Sequence, residues 1–357
     1  MKIRSQPLPI LFVQCALLIC ACCSPRGLAQ KDEDRLSDTE QQALLKRFPT
    51  PNYAEKLDLL TYFPIKQNPA STEPSGMPLR MALGPDNSLY ISEANEAQVL
   101  VLELDGGMSR RIGARGRGLS QFLEPSLLGF ASDSKFAVWD SRALRIQLFD
   151  RQGDFVSSFR LFMPCSSMTV DNRGYIYLSF LDAVSNDRPL IDVYDLSGRH
   201  LGQFGRRIQA SSPFFNEVDL SISEDGILAA WKTYPLIRKY SKSGELLFEH
   251  YIDYGPLSYF GQMNMSAKCG AQGTEFHTAV WKIFGGSDAY YLLIGYPRLE
   301  ILKIDFSGNI KKVLWDDAPK DLFVSDFLIM RHGTKAKIYI LEQRPVPGIR
   351  CYEVGGL

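Results

Sequence analysis

Arg145-Ile-Gln-Leu-Phe-Asp-Arg-Gln-Gly153 decides the fold. It is an apolar run that ends in a four-residue turn, Asp150-Arg-Gln-Gly153, and five other stretches end the same way. They are Glu103-Leu-Asp-Gly106, Asp195-Leu-Ser-Gly198, Ser241-Lys-Ser-Gly244, Asp305-Phe-Ser-Gly308 and Glu353-Val-Gly-Gly356. The closing glycines lie 47, 45, 46, 64 and 48 residues apart, a period that marks a repeat architecture. Glycine supplies the positive φ that a tight hairpin loop needs. About a dozen residues before each turn strand runs a second apolar segment, as in Ser88-Leu-Tyr-Ile91 and Tyr175-Ile-Tyr-Leu178, continuous enough to be buried on both faces.

Working outward, each unit reads as four strands, a to d, with the quoted stretch as strand c. Four-stranded units of this length are propeller blades, so the expected fold is all-β, a six-bladed β-propeller. The sixth copy ends at Gly356, one residue before Leu357, which leaves blade six without a strand d. An apolar stretch over 57–65 can fill that place, so the ring is expected to be closed by an N-terminal strand completing the last blade. Ser37-Asp-Thr-Glu40 fits a capping box and predicts a helix over 38–48, ended by Pro49 and Pro51. Residues 66–78 read as a linker. The long fourth interval places an outsized loop within 253–280.

The expected organisation is therefore a signal peptide over 1–29, a polar N-terminal segment with a short helix over 30–56, and the propeller over 57–357. Lys2 and Arg4 precede an apolar stretch, Leu8 to Cys23, too short for a comfortable membrane span. Two exits are open: cleavage after Ala29, or lipidation at Cys22 in a lipobox-like Ile19-Cys20-Ala21-Cys22. The protein is expected to be bacterial and secreted, periplasmic, or lipid-anchored at the outer surface. Any membrane contact would come only through that anchor. Forty basic residues balance forty acidic ones, and no basic patch of the kind that steers nucleic acid stands out. Cys165, Cys269 and Cys351 remain in the body, as buried small hydrophobes or as one bridge and a free thiol.

Gly113-Ala-Arg-Gly-Arg-Gly-Leu-Ser-Gln-Phe122, then Pro125, then Arg145 to Gly153, resembles the NHL repeat: a glycine-rich link, Gln-Phe, a proline, and Arg-Ile-Gln-Val-Phe-Asp with a glycine. The match is strongest over 111–160, weaker over 161–250 and degenerate beyond. With the signal segment, the chain resembles secreted six-bladed NHL-type propellers of bacteria, which implies a propeller with a ligand-binding role.

The b–c connections should gather on one face. There Glu93, Asp140, Arg142, Tyr234, Tyr296, Arg298 and Arg344 are the candidate binding residues. The expected function is a scaffold that holds a protein, peptide or glycan through this face, with no cofactor. The alternative is a metal-dependent lactonase- or lyase-like enzyme with an axial site. In that reading Glu93, Asp140, Asp219 and Asp326 would converge on calcium, as resemblance to gluconolactonase-like propellers implies. The histidines weigh against the lyase form, because His200 and His250 fall on outermost strands. No catalytic residues stand out.

Overall fold

The computed structural model describes residues 37–65, 76–132, 135–180, 187–210, 212–266, 276–317, 322–344 and 346–357. The signal segment with Cys22, most of the linker, and Cys269 lie outside them. Among the described residues, six blades of four antiparallel strands stand around one axis. In chain order their innermost strands are Pro78–Leu83, Pro125–Ser132, Cys165–Val170, Val218–Ser223, Lys282–Gly285 and Phe323–His332. Each innermost strand contacts the next, and the sixth contacts the first, so the ring is closed. The strand b segments, such as Leu89–Glu93 and Ile176–Phe180, are buried along their whole length. Apolar clusters fill each of the six interfaces between neighbouring blades.

The repeated turn explains how the blades interlock. In copies one to five the glycine has φ between +85° and +93°, and its N–H donates to the carbonyl of the first turn residue. Asp150, Asp195 and Asp305 accept main-chain N–H groups two and four residues on, which is why aspartate starts the turn. The Ser197 hydroxyl, assisted by main-chain N–H groups, pulls the Asp195 carboxyl down to about 2. The glycines also meet the preceding blade. A Cβ on Gly153 would fall 2.8 Å from Ile112, one on Gly198 2.4 Å from Phe159, and one on Gly244 2.7 Å from Phe204. Each partner belongs to strand d of the blade before. Gly308 meets His250 in the same way, at 3.2 Å. The sixth copy differs, and the outer strand of its blade is Leu59–Pro64. Gly356 bonds to Thr334 and nothing lies within 4 Å of a Cβ placed on it.

Blade six is completed from the other end of the chain. Leu59–Pro64 pairs antiparallel with Gly348–Gly355 as its outer strand. Phe63 on this strand lies against Gly106 of blade one, the place that Ile112, Phe159 and Phe204 hold elsewhere. The N-terminal segment does more than close one blade. Its capping box and helix form as expected, over Asp38–Arg47. Glu55–Lys56 then adds a parallel fifth strand to blade five. Leu44, Leu57 and Ile65 enter three successive interfaces, between blades four and five, five and six, and six and one. The expected loop over 253–280 instead carries a helix, Gly255–Ser266, packed on the N-terminal helix through Phe48 and Tyr259.

Two substitutions separate these roles. Gly198→Ala should cost several kcal/mol, because a strained positive φ of about 1–3 kcal/mol adds to the clash with Phe159. Gly356→Ala should cost about 1–2 kcal/mol for the left-handed backbone alone. Phe63→Ala should cost about 3 kcal/mol. Equal denaturant midpoints for the two glycine variants would refute the interlocking role.

Candidate functional site: an axial cup floored by an ion cluster

Strand alternation puts the b–c turns and the links between blades on one face, and the a–b and c–d turns on the other. On the b–c face the axis opens into a cup of about 160 Å³. Trp281 and Phe323 form its aromatic wall, with ring centroids 5.9 Å apart. Tyr296 packs edge-on to Trp281 at 5.8 Å, and the Arg344 guanidinium lies 5.7 Å from the Phe323 centroid. The opposite wall is polar, made by Ser126 and Ser166. Lys232 and Glu217 stand at the side as an ion pair of 2.6 Å. Gln343 donates to the Pro78 carbonyl at the edge. The Ser126 hydroxyl and the Trp281 indole N–H are buried and make no hydrogen bond to the described residues.

Arg80, Asp219, Lys282 and Asp326 meet on the axis, with Arg80 also lining the cup. Lys282 Nζ lies 2.9 Å from Asp219 and 3.6 Å from Asp326, and Arg80 lies 3.6 Å from Asp219. The backbone gives the reason. Strand a is the edge of its sheet, and its N–H groups on the free side need partners. Asp219 accepts from the Ile283 N–H of the next blade at 3.0 Å. Asp326 accepts from Met81 N–H at 2.8 Å, and the Ser167 hydroxyl accepts from Leu220 N–H at 2.9 Å. Burial alone would raise the Asp219 carboxyl, but Lys282 and Arg80 outweigh it and hold it below its ordinary value. Asp219 and Asp326 thus meet on the axis without Glu93 and Asp140, and the cation between them is the chain's own ammonium.

The other candidates divide by task. Glu93 is 2% exposed and accepts from the main-chain N–H groups of Met77, Asn95 and Glu96 at 2.5, 3.0 and 2.5 Å. Burial raises its pKa. Asp140, fully buried, does the same for Leu123, Glu124 and Ala143. Both carboxylates tie the incoming link to the b–c turn and stand apart from Asp219 and Asp326. Arg298 clasps the N-terminal segment through the Phe48 carbonyl and Thr50 hydroxyl, while pairing with Glu300 at 2.9 Å. Tyr234 packs on Tyr251, and Arg142 lies on the rim, 3.9 Å from Glu124. Only Tyr296 and Arg344 of the expected seven border the cup's aromatic wall. Sequence reasoning passed over Arg80, Ser126, Trp281, Lys282 and Phe323. The signal was a charged residue placed just before an apolar inner-strand residue, as in Arg80-Met81 and Lys282-Ile283.

No family model matches the chain. The protein brain tumor of Drosophila melanogaster is 25% identical over 138 residues, which span 38% of this chain and 12% of that protein. Among solved structures, a Bacteroides fragilis protein described as exported superposes with TM-score 0.54 at 11% identity, over 85% of this chain and 99% of that one. Streptogramin B lyase superposes with TM-score 0.51 at 12% identity, covering 82% and 86%. A catalytically inactive histidine-to-alanine form of virginiamycin B lyase from Staphylococcus aureus, with quinupristin, reaches 0.50 at 14% identity, covering 82% and 87%. At such identities the likeness defines a six-bladed propeller and nothing finer. No helix among the described residues is long and apolar enough to cross a membrane.

Lys282→Met should destabilise the protein by about 3–5 kcal/mol, because it strips the buried carboxylates of their main counter-charge. Asp219 has a depressed pKa, so the stability it contributes is complete above its ordinary value of 3.8 and is lost as pH falls through the folded value. Urea titrations at pH 6 and pH 3 should therefore show a larger pH dependence for the parent than for Asp219→Asn. Identical slopes would contradict this assignment.

Proposed function

We propose that this chain is an extracytoplasmic propeller of the NHL-repeat kind, a binding scaffold that takes one ring-sized group of a glycan or peptide in its axial cup. The observation that carries this reading is the pairing of an aromatic wall, Trp281 and Phe323, with a polar wall, Ser126 and Ser166, in one cup. An aromatic lining with a few convergent polar groups is the composition of a small-ligand site. The size agrees. A cavity of roughly 150 Å³ holds a single benzene-sized ring, whereas pockets for larger free ligands run to about 300–1,000 Å³. The ion cluster makes the cup blind, so the rest of the glycan or peptide lies across the b–c face, where Tyr234, Tyr296 and Arg344 stand.

The placement of the histidines also favours binding over lyase chemistry. His200 and His250 lie on outer strands, His277 beside the insertion helix, and His332 at the far end of an inner strand. The exported neighbour and the sequence's signal segment both support an extracytoplasmic site of action.

Glycan and peptide arrays should yield ligands for the purified protein. Ser126→Ala, Phe323→Ala and Arg344→Ala should each weaken a hit about tenfold, for the loss of about 1.5 kcal/mol, with melting temperature maintained. Unaltered calorimetric affinity in all three would remove the cup from the binding site.

A further inference from the structure

A second surface lies on the same face, away from the cup, at the links between blades one, two and three. Phe162 is 99% exposed, although Leu161 before it is buried and Met163 after it is half-buried. Its backbone is therefore pinned on both sides while its ring stands free in solvent. Leu119, on the neighbouring link, is 67% exposed. Arg145 joins the two tips. It donates to the carbonyls of Arg117 and Gly118 at 3.1 Å each, and it pairs in register with Arg160. The Leu161 N–H completes the link by donating to the Leu144 carbonyl.

Three exposed arginines, Arg117, Arg142 and Arg160, flank these tips. Arg117 and Arg160 pair with no carboxylate among the described residues, and Arg142 has only Glu124, at 3.9 Å. Of the acidic groups on these connections, Glu124 and Asp140 are buried and engaged with Ser141 and with main-chain N–H groups, Glu96 pairs with Arg111 at 2.7 Å, and Asp187 is exposed on the b–c connection of blade three.

We propose that this sector docks on an anionic lipid surface, with Phe162 and Leu119 entering the interfacial layer and Arg117, Arg142 and Arg160 facing lipid phosphates. Apolar tips flanked by basic residues are the composition of interfacial binding. The freedom of Phe162 selects lipid over a protein partner. A protein hot spot sits in a braced, shape-matched pocket, whereas a fluid bilayer accepts a ring that nothing braces. The sector rests neither on the axial cup nor on lipidation at Cys22.

The test is co-sedimentation of the full chain, carrying Cys22→Ser, with vesicles of phosphatidylcholine alone or with about one-third phosphatidylglycerol. Binding should require the anionic lipid and weaken as salt shortens the screening length. Phe162→Ala should lower partitioning about tenfold or more. Each of Arg117→Ala and Arg160→Ala should lower it about fivefold, while Phe162→Trp retains binding with a blue-shifted emission. All three positions are exposed, and unchanged melting curves will confirm folding. No anionic-vesicle binding, equal binding of Phe162→Ala, or capture of an acidic protein through these residues without vesicle binding would each overturn the proposal.

Discussion

The molecule depends on the hydrogen-bonded ladder between Leu59–Pro64 and Gly348–Gly355. It joins stretches from opposite ends of the chain and turns a row of six blades into a ring. Without it, strand c of blade six would present an open edge, and blade one would lose the side chain that fills the niche beside Gly106. The apolar side chains on either side of this strand are part of the same closure. Leu44, Leu57 and Ile65 carry it through three successive interfaces, so the N-terminal segment acts as a strap rather than a plug. Contacts this distant in sequence are expected to form late in folding.

A closed ring fixes what lies on its axis. Each inner strand faces its neighbour at a set distance, so one side chain can serve the next strand's unpaired N–H. Asp219, Asp326 and Ser167 do this, and the charges so introduced are balanced by Lys282 and Arg80. The structural need of the inner edges thereby produces a charged floor, and the floor makes the cup blind. The aromatic wall stands on blades five and six, next to the strap, which links closure to the shape of the binding face. Arg298 shows the link directly, since a residue on a b–c turn reaches the main chain of the strap at Phe48.

What could be read from the sequence was local. The turn glycines at 106, 153, 198, 244, 308 and 356 all have a positive φ, and their spacing alone counts the blades. The capping box at Ser37 and Glu40 is four residues long and forms as read. The missing outer strand could be inferred because counting strands needs no coordinates. The site was harder, because the fate of a polar residue depends on neighbours distant in sequence. Glu93 and Asp140 looked like axial ligands, yet each finds main-chain N–H groups within its own corner of the blade. Arg298 looked like a surface contact until the strap folded onto it. Trp281 and Phe323 went unread, because only the closing of blades five and six brings them together.

The strap is tested most directly by native-state hydrogen exchange of the amides of Leu59–Pro64 that pair with blade six. If closure holds the ring together, these amides exchange only with global unfolding, at the same opening free energy as the strand b amides of Leu89–Glu93 and Lys335–Arg344. Exchange of the Leu59–Pro64 amides at near-zero opening free energy, with the blades on either side still protected, would contradict the account.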